Sequence, residues 1–250
     1  MHPVANKALL VGNGRVPPRA CLEPGVLDGV GLVIAADAGA AACRQLGLRP
    51  DVVVGDLDSA DPAEIDALER AGVTVLRVPA EKDESDLELA LRVAVERGVR
   101  RAVALAVLGG LRVEHELSAI ALLGLAADLG VDLRLVDDRS AMWLLDAGDG
   151  AGEVGRSELA GAPGDYVSLF PFGGGAEGVT TNGLRYPLRD EALPAGPSRG
   201  LSNELVEGAA WVSCRRGRVL IVHTRRAAVD GGRGSCTGED GPGMERSEPA

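Results

Sequence analysis

Two acidic segments concentrate the chemistry available to this chain. Gly55-Asp56-Leu57-Asp58-Ser59 follows the apolar run Val52-Val53-Val54, and Lys82-Asp83-Glu84-Ser85-Asp86 comes after it. A short β-branched apolar run is the mark of a buried strand. Asp56 and Asp58 therefore fall just past a strand's carboxyl end, where open α/β sheets bind their ligands. In extended backbone, residues two apart point to one side, so these carboxylates are expected to converge. Asp83 and Asp86, three apart, are expected to share a face at a helix start. Mg²⁺ takes hard oxygen ligands, usually one or two carboxylates completed by phosphate oxygens and water. Two carboxylate pairs on neighbouring loops suit a Mg²⁺-polyphosphate. Lys82 has support of its own: the chain has 24 Arg but only two Lys, Lys7 and Lys82. A compact ammonium in the middle of an acidic motif suits a phosphate oxygen.

The elements that must hold these loops follow from periodicity. Strand candidates are Ala8–Gly12, Leu32–Ala36, Val52–Val54, Val73–Val78, Ala102–Leu108 and Val131–Val136. Between them, Asp61-Pro62-Ala63-Glu64 reads as a helix start with Asp as N-cap and Pro in the first turn. Ser85-Asp86-Leu87-Glu88 is a second capping box, and a third helix runs from about Glu114 to Leu129. Strands alternating with helices imply a parallel sheet covered on both faces. Asn13, Asp37 and Gly39 end the first two strands and line the same edge as Asp56.

Past about residue 140 the pattern changes. Short β-like runs appear at Tyr166–Phe170, Gly178–Thr181, Ala209–Ser213 and Val219–His223, separated by Gly, Pro and Asn clusters. All six aromatic residues lie between Trp143 and Trp211. The expected fold is α/β: an N-terminal Rossmann-like parallel-sheet nucleotide domain over residues 1–140, then a small all-β sandwich domain over 141–224. The polar, Gly-rich stretch 225–250 is expected to be a disordered tail.

A net charge of −11 argues against nucleic acid as a partner. It favours a cationic second substrate, while a metal supplies positive charge locally for a polyphosphate. No apolar run is long enough to span a bilayer, and the N-terminus has no secretory pattern, so a cytoplasmic location is expected. Cys21, Cys43, Cys214 and Cys236 form no close pair and are expected as free thiols.

Five segments together resemble thiamine pyrophosphokinases. Ala36-Asp37-Ala38-Gly39-Ala40 is similar to the family's A-D-G-G-A element. Pro50-Asp51 with Gly55-Asp56-Leu57-Asp58-Ser59 is similar to P-D…G-D-x-D-S, and Lys82-Asp83-Glu84-Ser85-Asp86 to K-D-x-T-D. In the β half, Val179-Thr180-Thr181-Asn182-Gly183-Leu184-Arg185-Tyr186-Pro187-Leu188 and Gly200-Leu201-Ser202-Asn203-Glu204 resemble V-T-T-x-G-L-x-Y-P-L and G-x-S-N-E.

The resemblance implies transfer of a pyrophosphoryl group from ATP to thiamine with Mg²⁺, in a homodimer with thiamine near the subunit interface. It implies Asp56, Asp58 and Asp83 as Mg²⁺ ligands, with Lys82 and Asp86 completing the catalytic set. Asn13, Asp37, Gly39, Arg112 and His115 fall to ATP, and Ser202 and Asn203 to thiamine. One segment departs. Where the family has G-G-R-x-D-H-x-L-x-N, this chain reads Gly110-Leu111-Arg112-Val113-Glu114-His115-Glu116-Leu117-Ser118-Ala119. Leu111 is expected to crowd the backbone approach to the nucleotide. Two alternatives accordingly stand beside the kinase: a diphosphokinase acting on another hydroxymethyl substrate such as a pterin, and a homologue that binds without turnover.

Overall fold

The structure is a computed structural model, and it describes residues 6–150, 152 and 154–230. Of the stretch 225–250 expected to be a disordered tail, residues 231–250 lie outside the described residues. Six strands form a parallel array: β1 (Ala8–Val11), β2 (Leu32–Ala36), β3 (Val52–Gly55), β4 (Thr74–Arg77), β5 (Arg101–Leu105) and β6 (Asp132–Val136). Their spatial order is β4-β3-β2-β1-β5-β6, all in parallel register. The order reverses at β1, which has β2 on one side and β5 on the other.

Alternate side chains of these strands enter two cores, as the pleat requires. Leu10, Ile34, Val54 and Ala104 face α3 (Asp86–Glu96) and α4 (Val113–Asp128). Leu9, Val11, Val53 and Leu105 face the layer of α1 (Gly39–Gln45) and α2 (Pro62–Arg70). The expected caps are present: the Asp61 carboxylate accepts from the Ala63 N–H at 3.0 Å, and Ser85 Oγ accepts from the Glu88 N–H at 3.2 Å. The fifth strand stops three residues earlier than its apolar run suggests, because Ala106 turns to φ 54° and leaves the ladder.

Residue 140 marks a change of direction rather than the end of the sheet. β7 (Ser140–Asp146) doubles back antiparallel on β6. β14 (Arg218–Thr224), β9 (Tyr166–Pro171) and β12 (Asn203–Glu204) continue outward from it, giving one mixed sheet of ten strands. The other four strands, β8 (Gly155–Ala160), β10 (Ala176–Asn182), β11 (Glu191–Leu193) and β13 (Ala209–Cys214), form a second, antiparallel sheet. Trp143 of β7 joins the two sheets: its ring is buried and its indole N–H donates to Ser157 Oγ at 2.9 Å. A short helix, α5 (Arg226–Asp230), follows β14, so the start of the expected disordered tail is ordered instead, with the Arg226 N–H donating to Asp165 Oδ1 at 2.9 Å. Among the described cysteines Cys43 and Cys214 are free and buried. Cys21 is disulfide-bonded, contrary to the expectation of free thiols throughout. No helix among the described residues is long and apolar enough to cross a membrane.

Candidate active site

The loops leaving β1 to β5 all open at the carboxyl edge of the parallel strands. At that edge Asp37, Asp56 and Asp58 bring carboxylate oxygens within 4.8 Å of one another. The backbone arranges this in two ways. Gly55 has no side chain, and a Cβ there would lie 3.1 Å from Asp37 Cα and Cβ. Asp37 therefore sits directly over the end of β3, its N–H donating to the Val54 carbonyl at 2.8 Å. Asp56 and Asp58 converge through a turn, not through the pleat expected from the sequence. Leu57 adopts φ 62°, and the Asp58 N–H donates to Asp56 Oδ1 at 3.2 Å. A left-handed non-glycine residue is uncommon and concentrates at functional sites.

Two members of the trio are pushed in opposite directions, Asp37 upward and Asp56 downward. Asp37 is only 8 % exposed, and its Oδ1 is buried without a hydrogen-bond partner. Burial raises its pKa. The Ala38 N–H opposes this, and the charges of Asp86, Asp56 and Asp58 add to it. Asp56 is held below the ordinary carboxylate range, first by the Asp58 N–H and then by Lys82. Three convergent carboxylates, one with an orphaned buried oxygen, form a hard donor set that fits Mg²⁺.

Lys82 completes the cluster. Its Nζ lies 3.3 Å from Asp56 Oδ2 and 3.2 Å from Asp86 Oδ1. Burial, the largest influence, lowers its pKa, but Asp86 and Asp56 together outweigh it and the net shift is upward. Asp86 opens α3, and its Oδ1 meets Lys82 as an ion pair without hydrogen-bond geometry. Asp83 is exposed on the preceding loop, before the helix begins. The expected Asp83–Asp86 helical face is thus replaced by a Lys82–Asp86 pair, and Asp83 lies outside the trio.

The remaining predicted residues divide between chemistry and scaffolding. A Cβ at Gly39 would stand 2.1 Å from the Val11 carbonyl oxygen, so this glycine lets α1 start against β1. Asp51 of the same motif set accepts the Val33 N–H at 2.8 Å, joining β3 to β2. Asn13 is exposed on the loop after β1. Arg112 and His115 are exposed at the start of α4, and Arg112 Nε donates to Glu114 at 2.7 Å. An exposed pair of this kind is weak and leaves the guanidinium free to exchange partners. Leu111 projects fully into solvent, so the expected crowding does not occur within the chain. Ala119 is core.

Asn203 is buried, and its amide is fully engaged by backbone. Its Oδ1 accepts from the Tyr186 and Glu204 N–H groups, and its Nδ2 donates to the Tyr186 carbonyl. It fixes the neighbouring chain rather than presenting its own amide. Ser202, at φ 57°, is exposed beside it. Tyr186, Leu201 and Val206 nearby are each more than half exposed.

Ser202 precedes β12 at one edge of the large sheet, and Asp56 follows β3 next to the other edge. Eight strand intervals separate them, about 38 Å at ~4.8 Å each. A cavity of about 390 Å³ lies beside Asp165 and His223, and one of about 740 Å³ between α1 and α2. Neither is lined by Asp37, Asp56 or Asp58. The trio sits on an open shelf of the sheet edge.

What the sequence missed is the membership of Asp37 in the trio. Its motif was visible, but β2 and β3 had to be placed side by side before Asp37 and Asp56 could be counted together.

Comparison with known proteins gives a consistent result over both halves. The family model described as "Thiamin pyrophosphokinase, catalytic domain" matches residues 25–133, and "Thiamin pyrophosphokinase, vitamin B1 binding domain" matches residues 156–219. Between them they span more than half of the chain. The thiamine pyrophosphokinase of Bacillus subtilis (strain 168) is 28% identical over 200 residues, covering 80% of this chain and 90% of that protein. A crystal structure of the Bacillus subtilis enzyme superposes with a TM-score of 0.75 at 26% identity, over 88% of this chain and 99% of its own. That of Geobacillus thermodenitrificans thiamin pyrophosphokinase gives 0.72 at 26% identity, over 92% and 100%.

Proposed function

Because this chain belongs to the thiamine pyrophosphokinase family, we propose that it transfers the pyrophosphoryl group of ATP to the thiamine hydroxyl, yielding thiamine diphosphate and AMP. The observation that carries this reading is the Asp37–Asp56–Asp58 trio, with its orphaned buried oxygen, at the carboxyl edge of the parallel strands. The match of residues 156–219 to a vitamin B1 binding domain favours thiamine over a pterin.

Mg²⁺ held by Asp37, Asp56 and Asp58 would neutralise the polyphosphate and make the β-phosphorus more electrophilic. Asp83, exposed on the adjoining loop, would add its charge to the acidic site that holds the metal. Lys82 turns from Asp56 and Asp86 toward a polyphosphate oxygen. Arg112 leaves Glu114 for the same purpose, its planar fork matching phosphate geometry. His115 and the Asn13 loop flank the nucleotide in the crevice where the strand order reverses. Asp86, the carboxylate beside the trio but outside it, accepts the proton of the thiamine hydroxyl as that oxygen attacks the β-phosphorus. The protein supplies position and charge, as is general for transfer between phosphates.

The separation of the two half-sites supports a homodimer. About 38 Å along the sheet is far more than a thiamine molecule spans. The Ser202 loop of one chain therefore serves the acidic trio of a second copy. Ser202 contacts thiamine, and Asn203 acts by holding Tyr186. The cytoplasmic location expected from the sequence stays part of this reading.

Purified protein given ATP, Mg²⁺ and thiamine should release AMP and thiamine diphosphate in equal amounts, with Asp56→Asn as control. Thiamine or nucleotide binding with no AMP formed would replace the kinase by a binding-only homologue.

A further inference from the structure

Arg15 looks like a phosphate ligand, since it stands two residues past Asn13 in the loop that leaves β1. The structure commits it elsewhere. Its Nη1 donates to Asp138 Oδ2 at 2.8 Å, and Nη2 reaches Asp138 Oδ1 at 2.5 Å and Asp137 Oδ2 at 3.4 Å. This is the two-pronged fork that fixes orientation as well as distance.

The acceptor is itself held rigidly. Asp137 and Asp138 form the turn between β6 and β7. Asp137 Oδ1 accepts the N–H groups of Arg139 and Ser140 at 2.7 and 2.6 Å. Arg225, from the end of β14, donates to the Asp138 carbonyl at 2.6 Å. On its other side Arg15 is packed against the loop after β5, so closely that a Cβ on Gly109 would lie 2.9 Å from Arg15 Nε. The backbone agrees: the Gly14 N–H donates to the Ala106 carbonyl at 2.6 Å, and the Arg15 N–H to that of Leu108 at 2.9 Å.

The Asn13-Gly14 loop is thus clamped between the β5 loop and the β6–β7 turn, with Arg15 as the connecting side chain. Arg15 and Asp138 are only partly buried, at 35 and 22 % side-chain exposure. Being partly open to water, the pair is screened and has only a modest share in global stability despite its fork geometry. The function that fits is geometric.

We propose that Arg15, held by Asp138, is a positioning residue for ATP: it sets the conformation of the Asn13-Gly14 loop that borders the nucleotide crevice. The proposal rests on the placement of the nucleotide beside β1 given above.

Four variants test it in the steady-state pyrophosphokinase assay: Arg15→Gln, Asp138→Asn, the exchange Arg15→Asp with Asp138→Arg, and Asn13→Ala. Arg15→Gln and Asp138→Asn should each raise the KM for ATP about tenfold, well inside the ~100-fold that a misplacement of ~1 Å can cost. Values of kcat, the KM for thiamine and Tm should stay near wild type. The exchanged pair should return the KM for ATP to within about threefold of wild type, since coupled neighbours are non-additive.

A raised KM in Arg15→Gln alone, with Asp138→Asn normal, would show direct phosphate contact and overturn positioning. Unchanged KM in both also overturns it. A fall in Tm that tracks the loss of activity would reduce the pair to plain scaffolding. Asn13→Ala with unaltered ATP affinity, alongside an inactive Asp56→Asn, would remove the loop from the nucleotide site and the proposal with it. Active Asp56→Asn would instead undo the placement of the site as a whole.

Discussion

Two crippled chains should rescue one another. Asp56→Asn removes a carboxylate from the trio at β3. Asn203→Asp is nearly isosteric but sets an oxygen against the Tyr186 carbonyl where Nδ2 now donates at 2.7 Å. That exchange costs a buried hydrogen bond and adds repulsion, on the order of 1–3 kcal/mol, and it loosens the Ser202–Tyr186 surface locally. The two positions lie eight strand intervals apart in one chain, about 38 Å, so neither substitution disturbs the other's half-site. In a two-fold dimer each site takes its trio from one copy and its Ser202 loop from the other. Random exchange of equal amounts makes half the dimers mixed, and each mixed dimer has one site free of both lesions. The mixture should therefore recover about a quarter of wild-type activity or slightly more, while Asp56→Asn alone has almost none and Asn203→Asp alone keeps about a fifth or less, the ~5-fold or larger loss that ~1–3 kcal/mol implies. The assay is thiamine diphosphate formation after co-refolding, with differently tagged copies to count the mixed dimers. Activity no greater than the average of the parents, with mixed dimers present, would refute the shared site. The Ser202 loop would then have no part in the reaction at the trio.

Three further results are expected. Asp37→Asn should abolish turnover yet raise the stability of the metal-free protein by on the order of 1 kcal/mol at neutral pH, about 2–4 °C in Tm. The sign follows from linkage: the folded-state pKa of Asp37 is raised, so its carboxylate costs stability as pH climbs from the unfolded to the folded value, and Asn removes that cost. Calorimetry across pH, with and without Mg²⁺, measures it, and a variant less stable than wild type without Mg²⁺ contradicts it. Gly39→Ala should lose about 3 kcal/mol or more in urea unfolding, because its Cβ would lie 2.1 Å from a carbonyl oxygen; a cost below ~1 kcal/mol would show that α1 can shift freely. Asp51→Asn weakens the link to the Val33 N–H and should cost about 1 kcal/mol with kcat unchanged; a drop in kcat without loss of stability would move Asp51 into the site.

In the first half β1, β2, β3 and β5 were legible as continuous apolar runs and β4 and β6 as apolar residues alternating with polar ones, while Asp61 and Ser85 announce the starts of α2 and α3. The acidic loops were legible through residue type and position. Three things were not. Strand five ends early because Ala106 turns left-handed, and alanine gives no warning of that. The turn at Leu57 and the neighbouring of β2 and β3 are tertiary facts, so the place of Asp37 beside Asp56 stayed hidden. The apolar run Ala141–Leu145 has no polar alternation to show which face it buries, and it was not among the expected strands, so the sheet it joins stayed hidden. Composition changes at residue 140, while hydrogen bonding runs straight through it.

That continuity limits how the chain can be divided. A polypeptide cut to the span of the catalytic match, residues 25–133, would lack β1 from the middle of the sheet and stop two residues into β6. Extending it to include β1 and all of β6 would still bare the edge of β6 at Arg134–Val136 that β7 now covers. An uncovered strand edge presents open N–H and C=O groups that pair with whatever strand they meet. Such fragments should collect as aggregates rather than as a working nucleotide domain. Any functional halves must be separated elsewhere, in loops such as the one around Gly173 that carry no strand of the large sheet.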